Sequence, residues 1–163
     1  MNRVIVIGMN NPISLDQRHA LYPHPPGCVG HRLWKLLETE TGASMSQYLR
    51  AFDRRNLLPT CEWTGRRDAR EAAEAILPDI QGRTILLLGA EVRKAFGQID
   101  LQPGDFVDVL AFSLCEDQSS EKRWRFYYLP HPSGRNLWYN DEANRQLASG
   151  LLANLYNLQL TGD

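Results

Sequence analysis

Two uninterrupted apolar runs, Val4-Ile5-Val6-Ile7 and Ile85-Leu86-Leu87-Leu88, each end at a glycine, Gly8 and Gly89. Runs of this length without polar alternation are typical of strands buried on both faces of a parallel sheet. A third run, Trp124-Arg125-Phe126-Tyr127-Tyr128-Leu129, is rich in strand-favouring aromatics and stops at Pro130, whose missing N–H cannot continue a ladder. Leu57-Leu58, between Asn56 and Pro59, predicts a shorter strand, and residues 106–114 predict a hairpin arm paired with the segment that follows.

Helical spacing separates these runs. Ala69, Ala72, Ala73, Ile76 and Leu77 recur at i, i+3, i+4, i+7 and i+8, which is one apolar stripe on a helix beginning near Thr64. Leu147, Leu151 and Leu155 line another over residues 141–158. Leu33, Trp34, Leu36 and Leu37 mark a third, and residues 91–96 a short fourth directly after Gly89. Strand, long loop, helix, and then alternating strands and helices predict a single α/β domain over residues 1–163. Its expected architecture is three layers, α/β/α, around a central four-stranded, mainly parallel sheet. Residues 10–30 carry four prolines and two histidines. That is a longer irregular loop than a compact domain ordinarily holds, and such loops are usually functional.

Composition narrows the classes. Apolar residues at 43% and charged residues at 23% exclude a wholly disordered chain, and the longest apolar run falls far short of the roughly 20 residues of a membrane-spanning helix. Met1-Asn2-Arg3 lead straight into the first strand without the apolar stretch of a secretory leader, so the expected location is cytoplasmic. Cys28, Cys61 and Cys115 are odd in number and far apart, a pattern of neither a disulfide framework nor a CxxC metal knuckle. His24, Cys28 and His31 have a spacing zinc accepts, but Pro25, Pro26 and Gly27 intervene and no second pair follows, so no metal is expected. Eighteen basic against nineteen acidic residues leave a formal charge of −1. Any nucleic-acid surface must therefore be a local patch, for which Arg54-Arg55, Arg66-Arg67 and Arg93-Lys94 are candidates.

In an open parallel α/β sheet, ligands bind beyond the carboxyl ends of the strands. Four polar segments fall there: Gly8-Met9-Asn10-Asn11-Pro12-Ile13-Ser14, Asn56, Gly89-Ala90-Glu91, and Pro130-His131-Pro132-Ser133-Gly134-Arg135-Asn136. Each also has a plain structural reading. Asn-Pro pairs form Asx turns, a histidine before proline caps a strand, and Gly89-Ala90-Glu91 is an ordinary strand-to-helix turn without a Walker or GxGxxG pattern.

A strand ending in Gly-x-Asn-Pro and a late strand ending in His-Pro-Ser-Gly resemble the two signature motifs of the uracil-DNA glycosylase superfamily. Gly30-His31-Arg32-Leu33-Trp34-Lys35-Leu36-Leu37 resembles the helix after that family's first motif, and Phe52-Asp53-Arg54-Arg55-Asn56-Leu57-Leu58-Pro59 its Asn-bearing second strand. Residues 82–89 resemble the third strand, so the similarity follows the chain in order. The resemblance implies hydrolysis of the N-glycosidic bond of a uracil-like or modified pyrimidine in DNA after base flipping, with no metal or other cofactor, by a monomer. It implies that Asn10 or Asn11 orients the attacking water and that His131 donates to the base oxygen where charge develops. Asn56 would read the base edge within a pocket that includes Gly8, Met9, Tyr22 and Cys28. Ser133 and Gly134 would hold a phosphate, and Arg135, Asn136 and Leu137 would enter the space left by the flipped nucleotide. Trp138 and Tyr139 stand where a DNA-contacting loop should end.

The chain departs from that pattern in its doubled Asn10-Asn11, of which Asn11 directly precedes the proline. Cys28 stands where an aromatic should stack on the base, which leaves Tyr22 as substitute or a pocket wider than uracil requires. A transferase acting on a hypermodified pyrimidine in phage DNA, a catalytically weak DNA-binding module and a nucleoside hydrolase are the alternatives.

Overall fold

The computed structural model describes residues 3–112 and 121–161. Five strands form one sheet in the order β2-β1-β3-β5-β4: β1 (Val4–Gly8), β2 (Phe52–Asn56), β3 (Thr84–Leu88), β4 (Phe106–Phe112) and β5 (Glu121–Leu129). The first three strands and β5 run parallel, and β4 pairs antiparallel with β5, Phe106 opposite Tyr127. Among the described residues the α-helices are α1 (Val29–Thr41), α2 (Met45–Ala51), α3 (Arg66–Ile76), α4 (Ala90–Ala95) and α5 (Glu142–Thr161).

The strictly alternating pleat of β1 sorts its residues to two cores. Val4 and Val6, with Leu86, Leu88 and Leu129, pack against Leu33 and Leu37 of α1, Tyr48 of α2 and Leu152 and Leu155 of α5. Ile5 and Ile7, with Ile85, Leu87 and Phe126, pack against Ala69 and Ala73 of α3 and Val92 of α4. Helices therefore cover both faces of the sheet. This is why β1 and β3 read as continuous apolar runs.

The structure corrects the expected sheet in two places. It has five strands, not four, because residues 106–112 form an edge strand on β5, whose outer face sets Asp108, paired across the strands with Arg125 (2.7 Å), between exposed Phe106 and Leu110. The second strand is Phe52–Asn56 rather than Leu57-Leu58. As an edge strand bonded only to β1, it leaves Asp53, Arg54 and Arg55 half-buried and so has no apolar run to betray it. Leu57 and Leu58 instead donate their N–H groups to the carbonyls of Gly8 (2.8 Å) and Met9 (2.7 Å), clasping the exit of β1. Helix α2 is an addition: Ser44 and Gln47 form a reciprocal capping box, a sequence signature that apolar periodicity overlooks. Cys115 and the far end of the expected 106–114 arm lie outside the described residues.

Candidate active site

Parallel pairing puts the carboxyl ends of the strands side by side: Gly8 opposite Asn56, and Leu88 opposite Leu129. A cavity of about 790 Å³ opens there, within the size range of small-molecule sites. Gly8, Met9, Asn10, Asn11, Tyr22, Cys28, Asn56 and His131 all line it. The first strand end, the second strand end and the loop after β5 thus meet at one place.

The long loop after β1 builds the opposite wall and is tied down along its length. The Gln17 side chain makes a two-way clasp with the Asn56 backbone, accepting from its N–H (2.9 Å) and donating to its carbonyl (3.3 Å). Arg54 donates to the Ala20 carbonyl (2.8 Å), and the Tyr48 hydroxyl to that of Leu21 (3.1 Å). Leu21 adopts φ +48°, and α1 crosses so close behind it that a Cβ on Gly30 would lie 2.2 Å from the Leu21 carbonyl oxygen. Only glycine fits that crossing.

The two asparagines differ in what they leave free. Asn11 is engaged at both ends: its Nδ2 donates to the His19 carbonyl (3.2 Å), and its Oδ1 accepts from Ile13 N–H (3.0 Å), an Asx turn. Asn10 donates through Nδ2 to the Cys61 carbonyl (2.8 Å), and its Oδ1 has no hydrogen bond to any described residue. Of the two asparagines lining the cavity, Asn10 is thus the one whose amide carbonyl is left available to a ligand or water.

His131 follows β5 after Pro130, braced by its own loop. Its carbonyl accepts from Ser133 N–H (2.8 Å) and from Asn136 Nδ2 (2.9 Å). Its ring is open to the cavity, yet the protein packed around it disfavours the charged form and pushes its pKa below the ordinary value. A neutral imidazole keeps one N–H donor for an acceptor in the cavity.

The pocket residues divide similarly. The Asn56 amide makes no hydrogen bond to a described residue and lies beside Gly8, where an added Cβ would come 3.5 Å from its Oδ1. Tyr22 is exposed, edge-on to His19 at 6.4 Å between centroids, with the Arg54 guanidinium 5.9 Å from its ring. Cys28 caps α1: its Sγ accepts from His31 N–H (3.4 Å) and donates to the Tyr22 carbonyl (3.3 Å). Its position at the cavity is that of a helix cap, not of a stacking group.

The loop after His131 borders a second depression of about 490 Å³, shared by Ser133 and Gly134 with His31, Arg32 and Lys35 of α1. Arg32 donates to the Gly27 carbonyl (3.0 Å), and its Nη2 lies 2.8 Å from where a Gly134 Cβ would stand. Arg135 and Leu137 are exposed, Leu137 at 75%. Asn136 is committed to the loop itself, accepting from Trp138 N–H (3.1 Å) while it donates to His131. Trp138 and Tyr139 are loop anchors: Trp138 packs on the core and the Tyr139 hydroxyl donates to the Pro130 carbonyl (2.6 Å).

The remaining candidates make contacts within the fold. Gly89, at φ +94°, receives the His131 side chain against its Cα. Glu91 pairs with Arg66 (2.9 Å) and Lys94 (2.9 Å), and Arg67 with Glu71 (2.8 Å). Among the described residues no group of three or more His, Cys, Asp or Glu is arranged to hold a metal ion, and no helix is long and apolar enough to cross a membrane. Ser14 lies in the segment expected beyond β1 and lines the cavity, whereas Gln17 and His19 were singled out by no motif; the proline-rich, histidine-bearing loop was their signal. No protein-family model matches the chain, and no curated protein matches it.

Proposed function

We propose that the protein hydrolyses the N-glycosidic bond of a uracil-like or modified pyrimidine in DNA, in the manner of the uracil-DNA glycosylase superfamily that its motifs resemble. The observation that carries this reading is the meeting of Asn10, Asn56 and His131, from three separate strand ends, around one cavity. Base release needs these three functions: a positioned water at the sugar, a reader of the base edge, and a donor at the base oxygen where negative charge collects. Asn10 Oδ1 orients the water, the unengaged Asn56 amide offers both donor and acceptor, and neutral His131 donates. Exposed Leu137 fills the gap left by the flipped nucleotide, and the Arg32–Lys35 depression takes backbone phosphate.

The width of the cavity and the capping role of Cys28 favour a pyrimidine with a bulky 5-substituent over plain uracil. The same features suit a transferase that adds to such a base without removing it. A base-release assay on oligonucleotides carrying uracil, hydroxymethyluracil, mismatched thymine and larger 5-substituted pyrimidines, with His131→Ala as control, separates the two. Abasic sites that disappear in the variant support excision; intact strands with a changed base mass support transfer.

A further inference from the structure

The loop wall of the cavity carries a second polar pair that the reading above leaves unused. Ser14 Oγ and His19 Nδ1 lie 2.9 Å apart, and both residues line the cavity. The pair is held from several directions. Ser14 Oγ also accepts from Asp16 N–H (3.2 Å). His19 closes a 3-10 turn capped by Asp16, and its own N–H donates to the Asp16 carbonyl (2.9 Å). Its carbonyl accepts from Asn11 Nδ2 (3.2 Å) and Tyr22 N–H (3.3 Å). The Asp16 carboxylate does not compete for the imidazole, because it is taken up by the Arg18 guanidinium and backbone N–H, which hold its pKa down to about 2. The other ring nitrogen, Nε2, has no hydrogen bond to a described residue.

An asparagine amide orients water but cannot take its proton, so a site built on Asn10 lacks a base. We propose that His19 supplies it: Ser14 holds the imidazole as the Nδ1–H tautomer, and the Nε2 lone pair accepts the proton of the attacking water. This rests on the base-excision reading. The water oxygen bonds to the sugar C1′ as the bond from C1′ to the base nitrogen breaks, and that electron pair leaves with the base. The water proton passes to His19 Nε2, and the resulting imidazolium returns it to the departing base, leaving a neutral base and a sugar hydroxyl. His19 is the catalytic group, and Ser14 is a positioning residue. The charged and titratable groups around the imidazole are Asp16 and Arg18 on its own turn, Tyr22 with Arg54 behind it, and His24, Cys28 and His131 on the cavity.

The test is single-turnover base release against pH for the wild type, His19→Gln, Ser14→Ala and Ser14→Thr, with His131→Ala as the inactive control. His19→Gln is expected to lose about 10²-fold or more in rate and the acid limb of the profile. Ser14→Ala is expected to slow the reaction and displace that limb, and Ser14→Thr to restore it. ¹⁵N imidazole shifts of the wild type read the tautomer without any turnover: Nδ1–H supports the proposal, and Nε2–H overturns it. A folded His19→Gln enzyme with the wild-type rate and acid limb overturns the role of His19 alone. A wild type that releases no base from any oligonucleotide overturns the excision reading, and the role of His19 with it.

Discussion

Gly89 and His131 touch across two neighbouring strand ends: a Cβ added to Gly89 would stand 3.2 Å from the Cβ of His131. Gly89 also sits at φ +94°, a conformation costly for any side chain, and its N–H donates to the Leu129 carbonyl (2.9 Å), two residues before the histidine. The plain strand-to-helix turn after β3 is thus the backstop of the candidate donor. Gly89→Ala is expected to lower stability by about 1 kcal/mol or more and to reduce base release beyond that loss by displacing His131. Chemical denaturation and single-turnover rates on the same preparation check it; a destabilised but fully active variant would remove Gly89 from the positioning of His131.

The division of labour between the asparagines gives an opposite pair of outcomes. Asn10→Ala removes a water-orienting carbonyl and should cost about 10²-fold in rate with little change in melting temperature. Asn11→Ala removes two hydrogen bonds that tie the loop to itself. It should lower stability by about 1–3 kcal/mol with a smaller effect on rate. Reversed results would make Asn11, the residue before the proline, the catalytic one.

Gly30 is the tightest crossing in the site, with Leu21 and Tyr22 carbonyl oxygens at 2.2 and 2.4 Å from an added Cβ. Backbone atoms cannot rotate away as a side chain would. Gly30→Ala should destabilise by about 1–3 kcal/mol and free the loop wall, seen as faster proteolysis within residues 10–27. Protection equal to wild type would contradict the packing.

If the depression beside Gly134 takes backbone phosphate, Arg32→Ala and Lys35→Ala should weaken binding alike across DNA sequences. Each should reduce the slope of log affinity against log salt by about 1. Arg67→Ala, on the exposed face of α3 and already paired with Glu71, is the control expected to leave the slope unchanged. Unaltered slopes in the first two variants would place the phosphate path elsewhere.

The protein packed around the His131 ring, which stays open to the cavity, holds its pKa below its ordinary 6.5, so below that pH the unfolded chain takes up protons more readily than the folded one. Its contribution is therefore absent above the ordinary value, and stability is lost as pH falls through 6.5 towards the folded value. His131→Asn should remove this loss. Urea midpoints for the two proteins at neutral and mildly acid pH test it: the wild type should drop further, and parallel drops would contradict it.

The hydrophobic pattern by itself determined the three central strands and the apolar faces of α1, α3 and α5, because burial on one or both sides of an element is written locally with the period of that element. It also determined, through the parallel order of those strands, that the segments after β1 and β5 would share one end of the sheet. Tertiary structure decided what depends on partners distant in the chain. Edge strand β2 has one neighbour and no apolar run. Cys28 lines the cavity as expected and caps α1 as well, and Asn136 and Tyr139 spend hydrogen bonds on their own loop, pairings that the hydrophobic pattern does not encode. Which asparagine keeps a free carbonyl, and which histidine finds a serine, follows from the same cause: the loop after β1 is shaped by Asn56, Arg54, Tyr48 and Gly30, none of which its own residues foretell.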